Sequence, residues 1–175
     1  MSQNQAPPEK TISPYCDFDL SLHNGDRIMG IDVGSHTFGI AFTNLGLNSS
    51  TPFCVIKRIK YKNDLIHLQK IITNWHIKGL VFGLPLNMDG TSGNRVQATK
   101  TIARNIARDT QLPYCFIDER LSTSAATDRL ISIGVRPSSR KNIIDAQAAT
   151  IILENYQIFL HNRDYNHSPE SQHEA

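Results

Sequence analysis

Three short stretches, GIDVG at 30–34, DERLS at 118–122 and DAQAA at 145–149, each place a carboxylate where the flanking residues predict nearly buried backbone. An ionised carboxylate among apolar neighbours is costly unless something positive compensates it, and a hard divalent cation accepts oxygen ligands. Asp32, Glu119 and Asp145 are therefore candidate ligands of a metal site, and the chemistry of such a site is phosphodiester cleavage. Because all three donors are oxygen, Mg²⁺ or Mn²⁺ is expected rather than zinc. Taken singly, each carboxylate also has a structural reading. Asp32 could satisfy the amides of a turn, Glu119 could cap the helix that follows it, and Asp145 could pair with Arg140 or Lys141. Three together at strand ends favour a site.

The elements that must position these residues follow from hydrophobic periodicity. Residues 27–33 form an apolar run ending at Gly34, and 39–43 form a second, with polar Ser35, His36 and Thr37 between them, which is a hairpin signal. Residues 52–59 read as a third strand, after which Leu65, Ile66, Leu68, Ile71, Ile72 and Trp75 recur at helical spacing. A buried-type strand at 79–83 leads through a Gly- and Asn-containing loop, 84–93, into a helix at 94–109. Residues 113–117 read as a fifth strand ending at Asp118. Ser122 or Thr123 caps a helix to about Ile133, Gly134 ends it, and a last helix runs from about Ser139 to His161. The order β-β-β-α-β-α-β-α-α describes an α/β protein with a mixed five-stranded sheet, its first three strands antiparallel, flanked by helices. That is the layout of an RNase H-like fold. It puts Asp32 in the first strand, Glu119 just past the fifth, and Asp145 in the early turns of the last helix, bordering its apolar stripe.

One domain at about 26–162 accounts for the core of this 175-residue chain, 39% of which is hydrophobic. Residues 1–25, with Pro7, Pro8 and Pro14, and the polar tail 163–175 read as disordered appendages. The formal charge of +2 hides an asymmetry: residues 26–163 hold 17 Lys and Arg against 10 Asp and Glu, while both ends are acidic. Lys57, Arg58, Lys60 and Lys62 form one basic cluster and Arg136, Arg140 and Lys141 another, as expected of a surface that neutralises phosphates, although a solvated face explains either alone. Cys16, Cys54 and Cys115 are odd in number and widely spaced, so neither a disulfide framework nor a zinc knuckle is expected. With no secretory or transit signal in the first 25 residues and no stretch long enough to span a bilayer, a cytoplasmic protein is expected. The remaining histidines have no ligand-like spacing.

The strings RIMGIDVGS at 27–35, VFGLPLNMDGT at 81–91 and DERLST at 118–123 resemble the YqgF/RuvX family across nearly all of 26–160. The resemblance implies a nuclease acting on the precursor of 16S ribosomal RNA, with ribosomal particles as partners. The family is also labelled a Holliday junction resolvase, which implies branched DNA instead. Carried over residue by residue, its acidic site falls on Asp32, Glu119 and Asp145, and the implied mechanism is in-line attack of water on a backbone phosphate with the help of divalent ions. Ser35, Asn87, Thr91, Arg95, Arg120, Arg140 and Lys141 are the expected nucleic-acid contacts, set against a plainer reading of Asn87, Asp89, Thr91 and Arg95 as loop and cap residues.

Two positions depart from the pattern. Junction resolvases of the RuvC type carry a further Asp three residues after the helix carboxylate, where this chain has Ala148. The hairpin after Asp32 usually carries a basic pair, where this chain has His36 and Thr37, which predicts a weaker phosphate grip there. Two other classes fit parts of the sequence. Residues 32–37 resemble the phosphate-binding hairpin of actin-like ATPases and sugar kinases, but about 140 ordered residues hold only one of the two domains that architecture needs. A non-catalytic RNA-binding or transcription-associated module would use the basic clusters alone.

Overall fold

The computed structural model describes residues 26–44, 48–86, 93–118 and 137–167, with side chains in the last stretch from Asp145 to Leu160. Among the described residues five strands and three helices follow one another: β1 (Arg27–Val33), β2 (Thr37–Thr43), β3 (Ser50–Lys57), α1 (Tyr61–Asn74), β4 (Ile77–Leu84), α2 (Asn94–Thr110), β5 (Tyr114–Asp118) and α3 (Pro137–His167). The strands form one sheet in the order β3-β2-β1-β4-β5, antiparallel from β3 to β1 and parallel from β1 to β5. This is the mixed sheet that the hydrophobic pattern predicts. β1 and β4 lie at its centre, covered on both faces, and so read as continuous apolar runs rather than alternations.

Side-chain alternation along the strands divides the core in two. Met29, Ile31, Val33, Phe38, Ile40 and Phe82 pack with Leu68 of α1 and with Val96 and Ile106 of α2 on one face. Ile28, Ala41, Val81 and Ile117 pack with Ala149, Ile152 and Leu153 of α3 on the other. Gly30 belongs to the α3 face: a Cβ there would come within 2.6 Å of Leu153 Cγ and 2.7 Å of the Ala149 carbonyl oxygen. The missing side chain lets the helix settle directly on the middle of the sheet. Asp32, two residues further along β1, points to the same side.

Several boundaries differ from the sequence expectation, each for a local reason. β2 begins at Thr37 rather than Gly39, because the turn is tight and Gly34 N–H already donates to the Thr37 carbonyl at 2.9 Å. β3 begins at Ser50 and ends at Lys57, two residues early at each end; Pro52 is tolerated because β3 is an edge strand and the register slips beside it, between Ile40 and Ala41. α1 starts at Tyr61, a polar turn before its apolar periodicity is visible. α3 starts at Pro137, a residue suited to the first helical position, and continues to His167, beyond the expected end of the domain. Cys115 is disulfide-bonded and Cys54 is free, against the expectation that no disulfide forms; pairing depends on spatial approach, which cysteine spacing alone does not report. The helix expected at 122–133 and the disordered appendage expected at 1–25 lie outside the described residues, as does the tail expected at 163–175 except for residues 163–167, which continue α3 instead of being disordered. Among the described residues no helix is long and apolar enough to cross a membrane.

Candidate active site at the carboxyl end of the sheet

The carboxyl ends of β1, β3, β4 and β5 and the amino end of β2 all lie at one edge of the sheet, as the pairing registers require. α1 and α2 begin at this edge. In a sheet of this kind ligands are met beyond the carboxyl ends of the parallel strands.

Asp32 is the next-to-last residue of β1 and is half-buried. Its partner across the β1–β2 ladder is Gly39, so the Asp32 side chain and the missing Gly39 side chain share the α3 face. A Cβ on Gly39 would fall inside the backbone carbonyl of Asp145. That contact draws the early part of α3 onto the ladder position of Asp32. Asp145, also half-buried, is held by Thr37, whose Oγ1 donates to Asp145 Oδ2 at 2.6 Å. This length is typical of a hydroxyl donating to an ionised carboxylate. Thr37 lies two residues before Gly39 on the same strand face, so one hairpin arm supplies both the space and the hydrogen bond that place Asp145 beside Asp32.

The turn between β1 and β2 is itself clamped. Arg58 N–H donates to the His36 carbonyl at 2.8 Å, its guanidinium Nη1 donates to the Gly34 carbonyl, and the guanidinium carbon stands 4.8 Å from the centre of the Phe38 ring. Ser35 and His36 are exposed at the tip. Further from the site, Tyr61 OH and Arg108 Nε each donate to Asp109, at 2.7 Å, tying α1 to the end of α2. These hydrogen bonds, Arg108 first and Tyr61 second, hold the Asp109 carboxyl below its ordinary range, while burial and then the bond to Asp109 push the Tyr61 phenol up.

Of the residues expected to do chemistry, the structure brings Asp32 and Asp145 to one face; Glu119 lies outside the described residues. Among the described residues no three His, Cys, Asp or Glu side chains group closely enough to hold a metal. The two described donors are carboxylates, which suit a hard divalent cation, and Thr37 supports one of them as an outer-shell hydrogen bond supports a metal ligand. Of the expected nucleic-acid contacts, Ser35 is exposed at the hairpin tip and Arg95 is exposed in the first turn of α2, both at the site's edge of the sheet. Arg140 and Lys141 lie in the opening turns of α3, and Asn87, Thr91 and Arg120 lie outside the described residues. Sequence reasoning missed the role of Thr37, which it read as a polar hairpin residue and as the loss of a basic one. Hairpin register would have found it, since pairing Val33 with Phe38 sets Asp32 opposite Gly39 and Thr37 on the same face.

The chain matches the model of the RuvX family, described as Holliday junction resolvase, over residues 26–157. It is 46% identical over 133 residues to a protein of Bartonella bacilliformis named pre-16S rRNA nuclease, covering 76% of this chain and 83% of that one. Proteins of the same name from Brucella anthropi and Rhizobium rhizogenes are 45% and 41% identical, over 76% and 79% of this chain and 81% and 84% of theirs. Among solved structures, RuvC of T. thermophilus in complex with a Holliday junction substrate superposes with a TM-score of 0.51 at 11% identity, covering 78% of this chain and 96% of that one. At that identity the likeness concerns the fold.

Proposed function

This chain belongs to the RuvX family and is a phosphodiester-cleaving hydrolase, and from that premise we propose that it processes the end of precursor 16S ribosomal RNA during ribosome biogenesis in the cytoplasm. The observation that supports the reading is that Asp32 pairs with Gly39, against which the Asp145 backbone packs while Thr37 holds the Asp145 carboxylate, in a chain 41–46% identical to proteins named for that RNA.

Asp32, Asp145 and Glu119 are the residues that would hold a divalent ion, Mg²⁺ or Mn²⁺. What such an ion supplies when bound is positive charge against the phosphoryl oxygens and a lowered pKa for water. The chain's own residues do the rest. The Thr37 hydroxyl donates a hydrogen bond to Asp145 Oδ2 and so holds the carboxylate in one orientation. Gly39 admits the helix backbone that carries Asp145, and the clamp of Arg58 on the Gly34 and His36 carbonyls keeps the hairpin from drifting away from it. Ser35 at the hairpin tip and Arg95 at the start of α2, both exposed, would touch the nucleic-acid backbone. Ribosomal particles are the setting in which such an RNA end would be met.

Junction cleavage is a second reading, supported by the description of the family model itself. A direct comparison separates the two: an RNA spanning a 16S precursor terminus and a four-way DNA junction are each incubated with the protein and Mg²⁺ or Mn²⁺, with a chelator as control. Metal-dependent cutting of the RNA supports the proposal. Cutting of the junction in its place would replace it with the resolvase reading.

A further inference from the structure

The turn of the β1–β2 hairpin carries Ser35, His36 and Thr37 and no Lys or Arg, and the neighbouring strand β3 brings a cation up beside it. Lys57, the last residue of β3, is the ladder partner of Thr37, whose hydroxyl holds Asp145. Residues directly opposite in an antiparallel pair share a face, with Cβ atoms about 4.5–5.5 Å apart. Lys57 therefore stands on the α3 face, one strand out from Thr37 and two residues further along the sheet than the row of Asp32, Gly39 and Val55. It is exposed, and among the described residues it makes no ion pair.

Its surroundings are held firmly. The next residue, Arg58, points to the opposite face and clamps the hairpin turn through the Gly34 and His36 carbonyls. Beyond it, the buried Asp64 carboxylate accepts the Ile59 N–H at 3.1 Å, and the Asn63 and Asp64 amides donate to the Lys60 carbonyl at 2.9 and 3.0 Å. The junction from β3 to α1 is thus fixed at both ends, and it carries Lys57, Arg58, Lys60 and Lys62. A lysine on a fixed strand end, facing the same way as two site carboxylates and with no carboxylate partner among the described residues, suits a phosphate oxygen of a bound strand.

Resting on the nuclease reading, we propose that Lys57 is a substrate-binding residue that grips a phosphate of the RNA next to the one being cut, with Arg58 as the positioning residue that sets it against the hairpin.

The test uses the full-length chain carrying Asp32→Asn, so that RNA stays intact, and measures binding of a single-stranded precursor terminus across a salt series. Lys57→Met is compared with Lys57→Arg and with Lys78→Met, an exposed lysine near the other end of the sheet. Loss of one phosphate contact should lower the salt slope by ~0.7 and, at 0.1 M salt, weaken binding about fivefold. Lys57→Arg should restore most of this, and Lys78→Met should change neither quantity. In the otherwise native enzyme Lys57→Met should raise KM with kcat nearly kept, the pattern of lost ground-state binding. An unchanged slope and KM in Lys57→Met, or an equal effect of Lys78→Met, would overturn the proposal. A protein that binds RNA without cutting it would defeat the nuclease reading while the slopes still decide the role of Lys57; one that does neither would overturn both.

Discussion

Thr37→Val removes the hydroxyl that holds Asp145 and leaves nearly everything else in place. Valine matches threonine in volume and branching and suits a strand, so the hairpin should form normally. The lost bond is an O–H donor to a carboxylate at 2.6 Å, and hydrogen bonds to charged groups contribute roughly 1.5–3 kcal/mol. Water reaches this half-buried position and replaces part of the bond, so the fold itself should lose only about 1 kcal/mol or less. With Asp145 as the proposed metal ligand, the larger effect should fall on function, since removing a hydrogen-bond partner of a metal ligand costs about 10–100-fold in metal affinity or activity. That range corresponds to about 1.4–2.7 kcal/mol, the same size as the bond that is lost. The assay is RNA cleavage over a Mg²⁺ or Mn²⁺ titration, beside a urea denaturation curve for each variant. The metal concentration for half-maximal rate should rise or kcat should fall within that range in Thr37→Val, and Thr37→Ser, which keeps the hydroxyl, should recover most of it. A Thr37→Val protein with native rate and native metal dependence would show that the bond to Asp145 has no part in the site.

Other consequences follow from the packing. Gly39→Ala drives a methyl into the Asp145 carbonyl and must displace α3, so denaturation should show a loss of ~1–3 kcal/mol and cleavage should fall even where the protein stays folded. Asp64→Ala leaves the Ile59 N–H without its acceptor and loosens the β3–α1 junction; a loss of about 1–2 kcal/mol in the same measurement is expected, with weaker RNA binding besides. The Asp109 carboxyl is held below its ordinary range by Arg108 and Tyr61, so its contribution to stability is present above the unfolded carboxylate pKa of about 3.9 and is lost as pH falls through the lower folded value. The stability difference between native protein and Tyr61→Phe, followed by denaturation at several pH values, should therefore be constant above about pH 5 and shrink toward pH 3.

The sheet was legible because its strands are apolar runs punctuated by glycine and polar turns, and the mixed topology followed from where helical periodicity begins. Asp32 and Asp145 stood out as candidates for a related reason: each is a charged residue inside an apolar pattern. What was not legible depended on pairing across the chain. Thr37 gained its role from a residue 108 positions away, and Gly39 from the helix backbone it admits. Lys57 looked like one member of a solvated charge run until the ladder placed it opposite Thr37. The early start of β3 was hidden by Pro52, which an edge strand with a register slip accommodates. The polar first turn of α1 and the opening of α3 at Pro137 lack the apolar spacing by which helices are recognised.

The central claim is that Asp32 and Asp145 together carry phosphodiester cleavage. Single-turnover cleavage of a precursor 16S terminus in Mg²⁺ or Mn²⁺, with RNA binding measured in parallel, tests it in the native protein, Asp32→Asn and Asp145→Asn. The account predicts that each substitution abolishes cleavage while the protein stays folded and still binds the RNA. Cleavage at the native rate in either variant would contradict it.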